Sequence, residues 1–228
     1  MSRPRLVMIV PAFPQLSETF IAAKAAGLID RGWNVHILCG ASDASQWDAF
    51  GPDHPVHLLR SRVAVAPSPT LTWPGLRAFG RSVAGLRHAP RGAVGRYLAQ
   101  SRSPLVRQAR ELVLDADLLA LAPDVVHFEF GSLAPGRMTL GDRLGCAVTV
   151  SFRGYDLNYV GLEDPDHYRD VWDRADRVHL LGADLWRRAQ HRGAPPALPH
   201  SLIPPAIDTT SLQPAPARLG RLGLPGSP

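Results

Sequence analysis

Two short stretches place reactive side chains beside glycine: His127-Phe128-Glu129-Phe130-Gly131 and Ser151-Phe152-Arg153-Gly154-Tyr155-Asp156. His127 and Glu129 are two apart at the end of an apolar run, so on a strand they point to one face. There they could hydrogen-bond a substrate hydroxyl, or simply pair with each other. Arg153 cannot serve as a base, because a guanidinium stays protonated at any working pH. It suits bidentate binding of phosphate or carboxylate, or a structural pairing with Asp156 or another nearby acid. Gly154 would let the backbone turn sharply and approach a ligand.

A third stretch, Pro11-Ala12-Phe13-Pro14-Gln15-Leu16-Ser17-Glu18-Thr19-Phe20-Ile21, follows the apolar strand Leu6–Val10. Its prolines are expected to stop the strand, and Ser17 to cap the helix that follows. Phe20, Ile21, Ala25, Leu28 and Ile29 recur at helical spacing as a buried stripe. A strand that hands its C-terminal end to a helix N-terminus builds an anion or sugar site in an α/β sheet. An ordinary first turn of such a sheet would read the same way.

The elements that must position these residues alternate. Strands are predicted at Leu6–Val10, Val35–Cys39, Val56–Leu59, Val125–Phe130, Ala147–Phe152, Val178–Leu181 and Ser201–Ile203. Helices are predicted at Glu18–Arg31, Pro74–Leu86, Pro104–Leu121, Leu133–Leu144, Pro165–Ala175 and Asp184–Arg192, with Gly32 and Gly193 as C-terminal caps. The alternation predicts an α/β, Rossmann-like, doubly wound parallel sheet. The first turn lacks GxGxxG, which disfavours a dinucleotide-binding oxidoreductase.

Phe13-Pro14-Gln15-Leu16-Ser17-Glu18-Thr19-Phe20-Ile21 resembles the opening of family-four retaining glycosyltransferases of GT-B fold. Asp124-Val125-Val126-His127-Phe128-Glu129-Phe130-Gly131, the Ser151–Asp156 motif and Ile203-Pro204-Pro205-Ala206-Ile207-Asp208 match it in order. The similar branch builds bacterial exopolysaccharides of the colanic-acid type. The resemblance implies an acceptor-side domain over residues 1–208, one half of a GT-B architecture. Residues 209–228 are expected to form a Pro/Gly-rich flexible tail, with the donor-binding domain absent and the isolated chain inactive.

Such an enzyme moves a sugar from a nucleotide-sugar to a glycan or lipid-linked acceptor, with no cofactor and no metal. The resemblance puts Arg153, Asp156 and His127 in catalytic positions, and Ser17, Glu18, Thr19, Glu129 and Gly154 in substrate binding. Glu18 would repel a phosphate, so it is expected on the acceptor side. Family members commonly carry histidine where this chain has Arg153, which removes a proton-abstracting role there and leaves an electrostatic one. Asp208 is expected to be a turn or capping residue. A separate chain carrying the donor half is the implied partner. A non-catalytic module that docks on glycan or membrane is the rival reading.

Composition sets the bounds. The 228 residues are 45% hydrophobic and 20% charged, enough for one sizeable core. No apolar run approaches the roughly 20 residues of a membrane span, nor is there a signal-peptide pattern, so a cytoplasmic protein is expected. Cys39 and Cys146 read as small core residues. Lys24 is the only lysine, and no acid lies between Asp53 and Glu111, where ten arginines accumulate although the net charge is only +5. Within this basic middle, Trp73, Leu76, Phe79, Val83 and Leu86 recur at helical spacing among Arg77, Arg81 and Arg87. Trp73, Arg77, Arg81 and Arg87 would suit the anionic inner face of a cell membrane; a packed helix with a solvated arginine face is the alternative. With no aromatic-basic platform, nucleic acid is not an expected partner.

Overall fold

The computed structural model describes residues 3–52, 54–67, 73–101 and 103–205, with the side chains of 73–78 outside that description. The strands are β1 (Arg5–Ala12), β2 (Asn34–Ala41), β3 (Val63–Val65), β4 (Val125–Phe128), β5 (Ala147–Phe152), β6 (Arg177–Leu180) and β7 (His200–Leu202). The helices are α1 (Thr19–Asp30), α2 (Ala44–Asp48), α3 (Trp73–Gly85), α4 (Ala93–Ala99), α5 (Leu105–Leu114), α6 (Ala116–Leu121), α7 (Leu140–Leu144), α8 (Gly154–Tyr159), α9 (Arg169–Arg174) and α10 (Ala183–His191).

All strands pair in parallel in the order β3-β2-β1-β4-β5-β6-β7, a Rossmann-like α/β sheet. The order reverses between β1 and β4, and ligands of such sheets bind beyond the carboxyl ends of the strands at that switch. Every strand except the edges carries apolar residues on one face: Val7, Ile9, Val126, Phe128, Val148, Val150, Phe152, Val178 and Leu180 pack under the later helices in one core. On the opposite face Leu6, Met8, Val10, Val35 and Ile37 pack against Ile21, Ala22 and Ala25 of α1 and against Val56 and Leu59. That second core stops at β4.

Several boundaries differ from expectation for identifiable reasons. Val56–Leu59 is not a strand but part of a 3-10 helix, Pro55–Arg62. Pro55 supplies the first-turn φ, and His54 Nδ1 accepts the Val56 N–H at 3.1 Å. Val56 and Leu59, three apart, then share one side of the 3-10 turn, and β3 forms from Val63 instead. β1 runs through Pro11 rather than stopping there, its pairing to β2 carried by Val10 and Ala12. Ser17 does not cap α1: it lies in a 3-10 turn, Leu16–Glu18, and no side chain caps the helix. Phe20 is 36% exposed rather than part of the buried stripe.

The long helix expected over Pro104–Leu121 divides at Asp115. The buried Asp115 carboxylate accepts the Tyr97 hydroxyl and the Arg137 guanidinium, each at 2.5 Å. Of Leu133–Leu144 only the last turn is α-helical, Gly136 at φ +74° having broken the run. Gly32 and Gly193 do cap α1 and α10, both at φ +89°. Cys39 is a buried free thiol and Cys146 a half-buried one. Asp208 and the expected tail 209–228 lie outside the described residues. No helix among the described residues is long and apolar enough to cross a membrane.

Gly131 ties the end of β4 to β5. A Cβ there would stand 2.4 Å from the Phe152 ring, itself fully buried against Tyr168 and Trp172. Gly131→Ala should therefore destabilise the chain by about 1–3 kcal/mol, the usual cost of overpacking. Urea unfolding followed by far-UV circular dichroism measures it, and an unchanged midpoint would contradict the packing described.

Candidate functional site

The carboxyl ends of β1, β4 and β5 bring together residues that lie more than a hundred positions apart. Pairing of Met8 with His127 and of His127 with Thr149 puts His127 and Glu129 on the α1 side of the sheet, as their spacing predicts. Lys24 comes down from α1 to meet them. Its ammonium donates to Glu129 Oε1 at 2.6 Å and to His127 Nε2 at 2.9 Å. Arg153, the first residue past β5, reaches Glu129 Oε2 with Nη2 at 3.4 Å. Its guanidinium lies 4.0 Å over the Phe20 ring and 5.3 Å from that of Phe130.

Glu129 is fully buried. Burial disfavours its carboxylate, yet its pKa lies below the ordinary 4.5 because the Lys24 and Arg153 cations favour the ionised form. Burial drives His127 down to about 3, helped by Lys24 and opposed by Glu129, so the ring is neutral at neutral pH. Because Nε2 accepts from Lys24, Nδ1 carries the proton and donates to Thr149 Oγ1 at 2.6 Å. Ser151 Oγ lies 3.0 Å from His127 Nε2 and 2.8 Å from His179 Nδ1. His179 Nε2 faces the Ile203 carbonyl at 3.1 Å. A hydroxyl-and-imidazole line thus crosses β4, β5, β6 and the end of β7.

Asp156 sits behind this cluster. Its two oxygens accept the backbone N–H groups of Arg153 at 2.8 Å and Ser132 at 2.9 Å, and it is 1% exposed. It fixes the turn that aims Arg153; the guanidinium itself pairs with Glu129, not with Asp156. Gly154 is not in a left-handed conformation, and a Cβ there would meet only Asn158 Nδ2 at 3.7 Å. The turn therefore does not depend on glycine, in contrast to the sharp turn expected. Ser17 and Thr19 are exposed at the start of α1, and Glu18 is half-buried. Burial raises the Glu18 pKa, with Arg153 opposing and Glu129 adding to it.

Sequence reasoning missed Lys24 and the hydroxyl line of Thr149, Ser151 and His179. Lys24 had one signal, being the only lysine among the basic residues, on a helix whose neighbours are mostly small. Arg81 and Arg87 are exposed on α3 and the 3-10 turn after it, whereas the side chains of Trp73 and Arg77 lie outside the described residues. Among the described residues no group of three His, Cys, Asp or Glu is placed to hold a metal ion.

No family model matches the sequence, and no curated protein does. Among solved structures the chain is similar to a sucrose-phosphate synthase of Thermosynechococcus elongatus, at 13% identity over 89% of each chain with a TM-score of 0.46. It is also similar to Phytolacca americana UGT2 complexed with UDP-2fluoro-glucose and pterostilbene, at 13% identity and a TM-score of 0.43. That match covers 92% of this chain and 55% of the other, so the chain spans little more than half of it.

The cluster makes the fold acid-labile in two stages. A histidine held neutral below its unfolded value of 6.5 contributes stability that is complete above pH 6.5 and is lost as pH falls. The Glu129 carboxylate, depressed below 4.5, likewise contributes above 4.5 and loses that contribution as pH falls further. His127→Gln should flatten the slope of unfolding free energy between pH 6.5 and 4.5. Glu129→Gln should flatten the slope below 4.5. Urea titrations at stepped pH read both, and slopes that match the unchanged chain would contradict the assignment.

Proposed function

We propose that the chain is the acceptor-side half of a retaining glycosyltransferase of GT-B layout. It moves a sugar from a nucleotide-sugar to a hydroxyl of a glycan or lipid-linked acceptor in bacterial surface polysaccharide assembly. The observation that supports this most is the convergence of three motif segments, Phe13–Ile21, Asp124–Gly131 and Ser151–Asp156, at the carboxyl edge where the strand order reverses. Arg153 offers a fixed positive charge at the mouth, held by Glu129 beneath and by two aromatic rings beside it. The acceptor hydroxyl forms the new bond to the anomeric carbon as the bond to the nucleotide diphosphate breaks, its proton passing to the departing phosphate oxygen, and Arg153 meets the charge that gathers on that phosphate. His127 is neutral and occupied at both ring nitrogens, so its role is to hold Lys24 and Thr149 in place. Ser17, Glu18 and Thr19 form the acceptor-side rim. The donor half belongs to a second domain or a separate chain.

Half a cleft cannot hold both substrates in attack geometry, and positioning supplies roughly 7–11 kcal/mol of barrier reduction. The chain alone should transfer no sugar, and transfer should emerge when it is fused to the donor half of a GT-B enzyme. In the fusion Arg153→Ala should lower kcat by about 10²-fold. Arg153→Lys should fall in between, since it keeps charge but loses the fork. Unchanged transfer by a folded Arg153→Ala fusion, or robust turnover by the chain alone, would contradict the proposal.

One observation favours membrane docking beside or instead of catalysis. On α3 Phe79 and Val83 are 51% and 43% exposed, flanking the exposed Arg81. An apolar pair among arginines suits the anionic inner surface of a membrane, each cation near it being worth about 1 kcal/mol. Arg77, Arg81 and Arg87 changed together to Gln should abolish co-sedimentation with phosphatidylserine vesicles. Equal binding by the triple variant, or by the unchanged chain to neutral vesicles, would remove this reading.

A further inference from the structure

Ten arginines lie between Asp53 and Glu111, and two of them fall on α5. Arg107, Arg110, Glu111 and Leu114 follow the i, i+3, i+4, i+7 spacing that places side chains along one helix face. That face forms one wall of a cavity of about 410 Å³, a size that accepts small ligands. The facing wall comes from the segment between β4 and β5. There Gly136, at φ +74°, turns the chain, and Arg137, Thr139 and Arg143 follow. Leu112 of α5 and Leu144 of α7 pack into the core on the side of the sheet away from α1. The cavity therefore lies across the sheet from Lys24 and Glu129.

Charge around this cavity does not balance. Four guanidinium groups, of Arg107, Arg110, Arg137 and Arg143, face two carboxylates, of Glu111 and Asp115, an excess of two positive charges. Both acids are already occupied. Asp115 accepts the Tyr97 hydroxyl and the Arg137 guanidinium. Glu111 Oε1 accepts Arg107 Nε at 2.9 Å, and Arg143 Nη1 lies 2.9 Å from Oε2. Arg143 is 6% exposed, its guanidinium 4.0 Å over the Tyr97 ring. Its Nη2 is buried without a hydrogen-bond partner among the described residues. Buried donors in folded proteins are paired with few exceptions, and a buried cation is costly unless it is fully answered. Arg110 is exposed at the rim and pairs with no acid among the described residues.

We propose that this cavity binds a small, soluble, phosphate-bearing ligand. Its phosphate sits between Arg107 and Arg110 on one wall and Arg137 on the other, with Arg143 beneath as a fixed charge. A phosphate monoester carries about −1.5 to −2 charges at pH 7, which matches the excess of two. Its oxygens accept from planar guanidinium forks on both walls, a geometry that arginine serves better than lysine. A carboxylate carries one charge and leaves the other unanswered. The site uses no residue of the sugar-transfer cleft, so the inference stands apart from that reading.

Isothermal titration of the full chain at physiological ionic strength, with inorganic phosphate and with acetate, reads the site directly. Phosphate should bind at least about tenfold more tightly than acetate. Arg110→Gln should weaken phosphate about tenfold, and Arg110→Lys should weaken it less. Arg110 is exposed, so circular dichroism should show both variants folded. Arg153→Ala tests the cleft and Arg87→Gln tests diffuse attraction to the basic surface; each should leave phosphate affinity within about twofold. Equal affinity for acetate, or indifference to Arg110→Gln with folding intact, would overturn the proposal. So would a loss with Arg153→Ala or Arg87→Gln as large as with Arg110→Gln. Failure to bind inorganic phosphate, even where phosphatidic acid vesicles bind, would overturn it as well.

Discussion

One buried carboxylate organises the carboxyl edge of this sheet. Glu129 is placed without solvent where β4 ends, and a charge there is costly unless it is paired and hydrogen-bonded. Two elements answer it: α1 through Lys24 and the turn after β5 through Arg153. The cost of leaving either out keeps both at the end of β4. Arg153 is in turn aimed by Asp156, whose carboxylate is spent on two backbone N–H groups and not on the guanidinium. The cleft charge is thus held by named contacts on Nη2 and on the turn, while Arg153 Nε is buried without a hydrogen-bond partner among the described residues.

The same logic explains why one face of the sheet changes character across β4. To the left the strands meet α1 with aliphatic side chains, and to the right they carry hydroxyls, imidazoles and a guanidinium. Hydrogen bonds from Ser151 to His179 and from His179 on to the Ile203 carbonyl, with those of His127 to Lys24 and Thr149, tie this polar stretch together. The apolar core on the other face is continuous beneath it, so β5 and β6 stay buried where stability needs them. The polar cluster and the apolar core occupy opposite sides of the same strands.

Much of this was legible in the sequence. The βα alternation predicts the parallel sheet, and the two-residue spacing of His127 and Glu129 predicts their shared face. Other features were legible only in part. Val56 to Leu59 reads as a strand because apolar content is the same for a strand and a 3-10 turn, and the deciding contact is made by His54. Phe20 fits a buried helical stripe by spacing, but it stands at the helix start, under Arg153, where the partner is a cation rather than the core. Lys24 was invisible as a site residue because its partners are more than a hundred positions away, and no local pattern encodes a contact made by topology. Arg153 was recognisable as an electrostatic residue, yet its pairing acid could not be chosen between Asp156 and Glu129 without the fold.

The account depends on Glu129 being ionised inside the protein. Carbon-detected NMR of chain labelled at the glutamate side-chain carboxyl, titrated from pH 7 downward, reports its state directly. The predicted result is a Glu129 resonance that holds its carboxylate shift below pH 4.5, and that moves toward the acid form at higher pH when Lys24 is changed to Met. A Glu129 that protonates at or above 4.5 in the unchanged chain, or that ignores the loss of Lys24, would contradict it.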